Sequence, residues 1–388
     1  MRVLHVCLSC FYIDGYGYQE NELVKAHVDA GHEVYVLAST ESYDKNGLRC
    51  YLEPSTYMGS DGALVTRLPY SKFLPHAVMK KLRFYPGVYE YLGSNEPDVI
   101  LFHGLCAGAL LDVRRYKVKH PAIKLYIDSH EDYNNSARNL ISKYVLHMAF
   151  YRTIIRYSMD SIERVLCVSL ESIEFCKSMY GISDNKIEFF PLGGRLYDDE
   201  SYIKHREVGR HRMCVTDNDV VFLQTGKLDK NKMLIESLEC FSITRDQDLK
   251  FIIAGVIDDL IKEDASKLIE EDCRIKYLGW QSRDHLMELL CAADVYVQPG
   301  SQSATMQWSI CARCALILDD VLSHQPYLKD NGWLVKSKND LCEVFKYIEN
   351  HKEIHKSVSD KSEMICKEII DYQMLSRRLV DHTYAQHD

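Results

Sequence analysis

The chain has 388 residues, of which 46% are hydrophobic and 27% charged. That composition suits a globular protein of about two domains of ~150–200 residues each. The formal net charge of −9 argues against a dedicated nucleic-acid binder. No apolar run approaches the ~20 residues of a membrane span. The opening "MRVLHVCLSC" lacks the long apolar stretch and cleavage site of a signal peptide.

Short runs rich in Val, Ile and Leu alternate with longer amphipathic segments. In chain order the runs are 3–8, 33–39, 98–102, 124–128 and 164–169. After a polar interval come 219–226, 250–255, 275–279, 294–300 and 315–320. Such continuous runs predict parallel strands buried on both faces. Between the first two, "YQENELVKAHVDAG" sets Leu23, Ala26, His27 and Ala30 at helical spacing and stops at Gly31. The segment 283–293 behaves likewise. The pattern is βαβα given twice, an α/β fold of two doubly wound Rossmann-like domains with ligand loops at the carboxyl ends of the strands.

The boundary falls in 191–219, which begins with Pro and Gly and then turns charged, as a linker does. The expected division is 1–196, then 197–370, with 371–388 returning to the first domain. The tail 362–388 reads as one more helix outside the second sheet. Fourteen cysteines are scattered, several of them inside apolar runs, as at Cys7, Cys106 and Cys167. Most read as reduced core residues of a cytosolic protein. Cys311 and Cys314 form C-x-x-C, but no second pair stands at ligand spacing, so zinc is not expected.

Four loops carry chemistry. In 10–21, Gly15 and Gly17 could let backbone N–H groups approach an anion at a helix start; a plain tight turn fits them as well. In 128–139, His130 can switch between donor and acceptor. Beside it, Glu131, Asp132, Asn134 and Asn135 suit a polyhydroxylated ligand; a helix start capped by Asp128 or Ser129 is the alternative. In 225–232, Lys227 and Lys232 follow a strand and could neutralise a diphosphate; a solvated lysine turn is the alternative. In 299–307, Gly300, Ser301, Ser303, Ala304 and Thr305 are small enough for a phosphate to reach the main chain. That loop has no charge of its own, because no acid or Lys occurs from 295 to 312. Lys227 and Lys232 would supply the charge. A Ser/Thr-capped helix is the competing account, and the four loops together tip the balance.

In this order the segments resemble glycosyltransferase family 4, retaining nucleotide-sugar transferases of GT-B fold in which two Rossmann-like domains face across a cleft. The landmarks are the first βαβ, "PDVILFHG", "VSLESIEFCKSMYGISDNKIEFFPLGG", "VVFLQTGKLDKNK", "IKYLGWQSRDHLMELLCAADVYVQPGSQSATMQ" and "NGWLV". They cover nearly the whole chain. The resemblance implies that Lys227, where the family has Arg, and Lys232 hold the diphosphate, and that His130 stands near the reacting sugar. Lys for Arg keeps the charge but loses the bidentate fork. Donor contacts are then expected at Gly15, Gly17, Gly226, Gln302, Ser303, Ala304, Thr305 and Ser309, and acceptor contacts at Tyr18, Glu131 and Asn135.

The family's Glu-x7-Glu pair is missing. Ser309 falls where its second Glu, which grips ribose, is expected, and Gln302 or Ser303 falls near the first. The stretch "QSATMQ" points to a bacterial surface-polysaccharide subgroup. No metal and no cofactor beyond the nucleotide-sugar substrate are expected. The partners implied are that donor and a glycan or lipid-linked acceptor, with no nucleic acid. Residues 65–124 carry ten Lys/Arg against four acids. Within them 70–92 mixes Lys72, Lys80, Lys81 and Arg83 with aromatic residues, which suits peripheral contact with an anionic membrane at its cytoplasmic face. A helix with solvated lysines is the plainer reading. Two alternatives to a transferase are a non-catalytic GT-B partner in a glycan-assembly complex and a sugar-nucleotide epimerase.

Overall fold

A computed structural model describes residues 1–44, 48–301, 303 and 305–381. The strands are β1 (Arg2–Cys7), β2 (Glu33–Ser39), β3 (Glu41–Tyr43), β4 (Arg49–Tyr51), β5 (Thr56–Met58), β6 (Leu64–Leu68), β7 (Val99–His103), β8 (Lys124–Ser129), β9 (Arg164–Cys167) and β10 (Ile187–Phe189). They continue as β11 (Val220–Leu228), β12 (Leu249–Ile257), β13 (Ile275–Tyr277), β14 (Val295–Gln298), β15 (Ala315–Asp319) and β16 (Gly332–Val335). Two compact units result. One is Met1–Leu192 with the chain from Tyr372 onward, and the other is Gly193–Asp371.

The N-terminal unit holds an eight-stranded sheet in the order β10-β9-β8-β7-β1-β2-β6-β5. All of its neighbours are parallel except β5 against β6. The C-terminal unit holds a parallel six-stranded sheet, β13-β12-β11-β14-β15-β16. All ten apolar runs read from the sequence are strands. β7 and β14 are buried at every residue, as sheets covered on both faces require. The strands β3 to β6, β10 and β16 lack such runs.

In each unit the chain order reverses beside the first strand. β1 lies between β7 and β2, and β11 lies between β14 and β12. Loops leaving the carboxyl ends of β1 and β7, and of β11 and β14, therefore diverge and leave room for a ligand.

Two expectations need correction. The charged stretch after 191 is not a linker. Asp199–Met213 is a helix, capped by the Asp198 side chain on Ser201 N–H. Its charges are paired inward: Arg206 donates to Asp294 at 2.7 Å and Arg210 to the same carboxylate at 3.4 Å. Asp294 is buried and also accepts the Val221 N–H. Gly209 lets this helix touch Arg283–Ala292, since a Cβ there would lie 2.1 Å from the Glu288 carbonyl oxygen. The tail is not one helix either. Ile354–Ile365 continues as a wider turn through Ile370, breaks at Asp371, and Tyr372–Val380 begins anew. Tyr372, Leu375 and Leu379 pack on Leu23 and Ala26 of the helix Gln19–Asp29. Twelve cysteines are free, Cys311 and Cys314 among them, while Cys240 and Cys342 form a disulfide.

Candidate functional site

At the switch point of the N-terminal sheet lies a cavity of about 750 Å³. Its walls are the loops after β1, β7 and β8. Gly104 follows β7 at φ +88°, and a Cβ there would lie 2.7 Å from Ser9 Oγ. Only glycine lets the two loops close on each other. Ser9 Oγ accepts from Cys106 N–H and from Arg83 Nη1, each at 3.1 Å. Arg83 also donates to the Cys106 carbonyl at 2.9 Å. Its backbone is left-handed, φ +55°, at the end of the helix His76–Leu82, strain of a kind that gathers at functional sites.

The titratable centre of the wall is Asp128, at the end of β8. Its Oδ2 accepts from His103 Nδ1 at 2.5 Å, its Oδ1 accepts from Gly104 N–H at 2.7 Å, and His130 Nε2 stands 3.7 Å from Oδ1. Burial opposes ionisation of Asp128, but His103 and His130 outweigh it and hold the carboxyl well below the usual range. Burial likewise pulls His130 down, and the Asp128 charge carries it up to about 9. The His130 side chain keeps 40% of its surface exposed. It is thus a cation at neutral pH that a ligand can reach.

Tyr18, Glu131 and Asn135 line the same cavity. Two of them also brace their own loop. Glu131 accepts from Ser129 Oγ at 2.7 Å, and Asn135 Nδ2 donates to the His130 carbonyl at 2.7 Å. Asp132 and Asn134 lie outside the wall, where the Asp132 side chain accepts the Asn134 N–H. Gly15 and Gly17 are not on the wall. Tyr16 N–H to the Ile13 carbonyl closes a tight turn there, and Glu20 and Glu22 occupy the first turn of the following helix, which disfavours an anion. Lys80, Lys81 and Arg83, read above as a membrane face, lie on the cavity wall.

In the C-terminal unit the loops after β11 and β14 are fastened together. Lys232 Nζ donates to the Ser301 carbonyl at 2.6 Å, and Ser301 N–H donates to the Asn231 carbonyl at 2.9 Å. A Cβ at Gly300 would lie 2.1 Å from the Asn231 carbonyl oxygen, so this approach demands glycine. Thr305 Oγ1 meets Thr225 Oγ1 at 2.8 Å, Ser303 Oγ at 2.8 Å and the Tyr296 hydroxyl at 2.7 Å. Burial lowers the Lys232 ammonium, against the attraction of Asp229.

Lys227 is exposed and borders a second cavity of about 380 Å³ with Gly226, Gly255, Trp280 and Gln281. Trp280 is 73% exposed, and the sequence reading passed over it. Ser309 is fully buried, and its hydroxyl donates to the Met306 carbonyl. Gln302 and Ala304 lie outside the described residues. Among the described residues no group of three or more His, Cys, Asp or Glu is placed to hold a metal ion. No helix among them is long and apolar enough to cross a membrane.

The profile of Glycosyltransferase Family 4 matches residues 15–193. The match lies almost wholly within the N-terminal unit. No curated protein matches the chain. Solved structures of the same fold include Anabaena HepE in complex with UDP, at 12% identity, TM-score 0.62, 99% of this chain and 100% of that one. HepE in complex with UDP-glucose aligns at 12% identity, TM-score 0.57 and the same coverage. WaaG, a glycosyltransferase involved in lipopolysaccharide biosynthesis, aligns at 14% identity, TM-score 0.60, 97% of this chain and 99% of that one. The fold is therefore GT-B, with a Rossmann-like sheet in each unit.

Proposed function

We propose that this transferase moves a sugar, with retention of anomeric configuration, from a nucleotide-sugar to a hydroxyl of a glycan or lipid-linked glycan. The observation that carries the reading is the fastening of the β11 and β14 loops. It presents a partly buried ammonium, hydroxyls and small residues at the carboxyl ends of two adjacent strands, where a diphosphate fits. Lys232 and Lys227 hold the diphosphate. Gly226, Ser303 and Thr305 line its path. The exposed Trp280 offers a flat face to the base. HepE was solved with UDP and UDP-glucose, in keeping with such a donor. Ser309, deep in the core, leaves ribose to other groups.

In the transfer the bond from the sugar's C1 to the diphosphate oxygen breaks, and its electron pair leaves with the diphosphate. The acceptor oxygen bonds to C1 on the same face, and its proton passes to the departing oxygen. Fixed charge aimed at that oxygen is the main catalytic contribution of the protein. Charged His130 donates to an oxygen of the bound sugar, and Tyr18, Glu131 and Asn135 meet the acceptor.

Lys80, Lys81 and Arg83 on the same wall suit an acceptor with an anionic group. Next to them Phe73 (65% exposed), Leu74 and Val78 are open, as are Leu140, Ile141 and Val145. The rings of Phe73, Phe84 and Phe150 join the two segments. Apolar and basic residues at the mouth of a cavity support an acceptor drawn from an anionic membrane surface, and with it a place in bacterial surface-polysaccharide synthesis at the cytoplasmic face. The test is a panel of nucleotide-sugars incubated with lipid-linked and soluble acceptors, in EDTA, with the product anomer read by NMR. Retained-anomer product in EDTA is expected. An inverted product, or turnover of no donor, contradicts the proposal.

A further inference from the structure

Three buried histidines have no part in the proposed chemistry. His5 lies in β1, His27 on the helix Gln19–Asp29 and His103 at the end of β7, each at most 1% exposed. They are joined end to end. His27 Nε2 stands 3.1 Å from the Ser376 carbonyl oxygen, and His27 Nδ1 stands 3.0 Å from His5 Nε2. His5 Nδ1 stands 2.9 Å from His103 Nε2, and His103 Nδ1 stands 2.5 Å from Asp128 Oδ2.

The two ends of this row dictate its protons. A carbonyl oxygen only accepts, so His27 donates from Nε2 and, as a neutral ring, accepts at Nδ1. His5 must then donate from Nε2 and accept at Nδ1. His103 must donate from Nε2 to His5. Its Nδ1 faces a carboxylate, which also only accepts. Both nitrogens of His103 therefore carry protons, and the ring is an imidazolium. The opposite polarity would set a His27 lone pair against the Ser376 carbonyl in a dry interior, at the cost of an unmade hydrogen bond.

We propose that His27, His5 and His103 are positioning residues for the cavity histidine. They form a one-way hydrogen-bond chain that starts at the backbone of the returning helix Tyr372–Val380 and fixes how much of the Asp128 charge is left for His130. The inference rests on reading His130 as the group that meets the sugar. The ionisation preferences agree with the chain. Burial holds His27 down to about 4 and His5 well below its ordinary value. Burial opposes charge on His103 too, but Asp128 lifts it to about 10. The other titratable groups facing the chain are Cys7 of β1 and Glu20 at His103, Glu20 and Glu131 at His130, and His32 at His27. The Leu23 carbonyl also favours a proton on His27.

With the chain intact, Asp128 is shared between two cations. Cut at His27, it frees His5 to turn round and donate to His103, which can then relax to a neutral ring. Asp128 is left facing His130 alone, and His130 holds its proton to higher pH.

The test is ¹⁵N NMR of the histidine rings in the full chain without substrate, beside the pH profile of sugar transfer. In the wild type near neutral pH, His103 is expected to be doubly protonated. His5 and His27 should be neutral with the proton on Nε2, and His130 should titrate near 9. In His27→Leu, His103 should lose one ring proton. The His130 titration and the alkaline limb of the transfer rate should move together to higher pH. His27→Gln, whose amide can donate to Ser376 and accept from His5, should restore both. A neutral His103 in the folded wild type, or a His27 proton on Nδ1, overturns the proposal even where His27→Leu does not fold. An unmoved limb in a folded His27→Leu protein also overturns it. Because the ring spectra need no substrate, a wild type without transfer activity would sink the transferase reading while the spectra still decide the chain.

Discussion

At the switch point of the N-terminal sheet the loops are held by ionisable side chains. Asp128 gathers His103, His130 and the Gly104 N–H, and Arg83 ties Ser9 to Cys106. At the equivalent point of the C-terminal sheet the main chain and neutral hydroxyls do the work. Gly300 lies against Asn231, Thr305 meets Thr225, Ser303 and Tyr296, and Lys232 is the ammonium that joins the two loops. The same topology thus carries two chemistries. A diphosphate is the same in every nucleotide-sugar, and backbone, hydroxyl and ammonium suffice for it. An acceptor must be told from many others, and that favours charges whose strength the interior sets.

The contrast can be broken from either side. Asp128→Asn removes the carboxylate that keeps His103 charged and so breaks a buried ion pair. A loss of about 3–5 kcal/mol in denaturant unfolding is expected, with the affinity of any folded fraction for a nucleoside diphosphate unchanged. Little change would mean the N-terminal charges are incidental. The same buried rings set a pH signature. The folded-state value of His27 is depressed, so its contribution is present above the unfolded value near 6.5 and is lost as pH falls toward about 4. That loss is on the order of 3 kcal/mol. His103 is raised, so its contribution holds below the unfolded value and is lost as pH climbs through about 10. A stability profile flat across the acid window would contradict neutral buried histidines.

On the donor side, Lys232→Ala should lower kcat by about 10²-fold, the scale of losing one preorganised charge on a leaving group, with a stability loss of about 1–3 kcal/mol from the unpaired Ser301 carbonyl. Ser309→Glu sharpens the comparison. The carboxylate would enter a fully buried position beside its own helix. A cost of about 2 kcal/mol or more in stability is expected, with no gain in donor affinity. Tighter donor binding would mean that Ser309 marks a lost ribose contact.

Much of the scaffold was legible because burial on both faces writes parallel strands as unbroken apolar runs. The charged helix Asp199–Met213 was not, because Arg206 and Arg210 look solvated until Asp294, far along the chain, is placed beside them. In the site, Lys232 and the small residues after β14 were legible from their position after strands. The Asp128–His103 pair was not, since His103 ends an apolar run and its partner sits two dozen residues away. A signal did exist: His5 is the one polar residue inside the run 3–8, which calls for a buried partner, and His103 directly follows another apolar stretch. Lys80, Lys81 and Arg83 were read from charge beside aromatic residues, and that pattern does not say whether a side chain faces solvent or a cavity.

The central claim, that the fastened β11 and β14 loops hold a nucleotide diphosphate, is tested most directly by thermal unfolding with a panel of nucleoside diphosphates. Wild type and Lys232→Ala would be compared across ligand concentrations. A ligand that binds the native state at 100-fold its Kd adds about 2.7 kcal/mol. The account expects at least one diphosphate to raise the wild-type Tm with concentration and to have little effect on Lys232→Ala. A wild type that no diphosphate shifts, or a variant that shifts as much as the wild type, would contradict it.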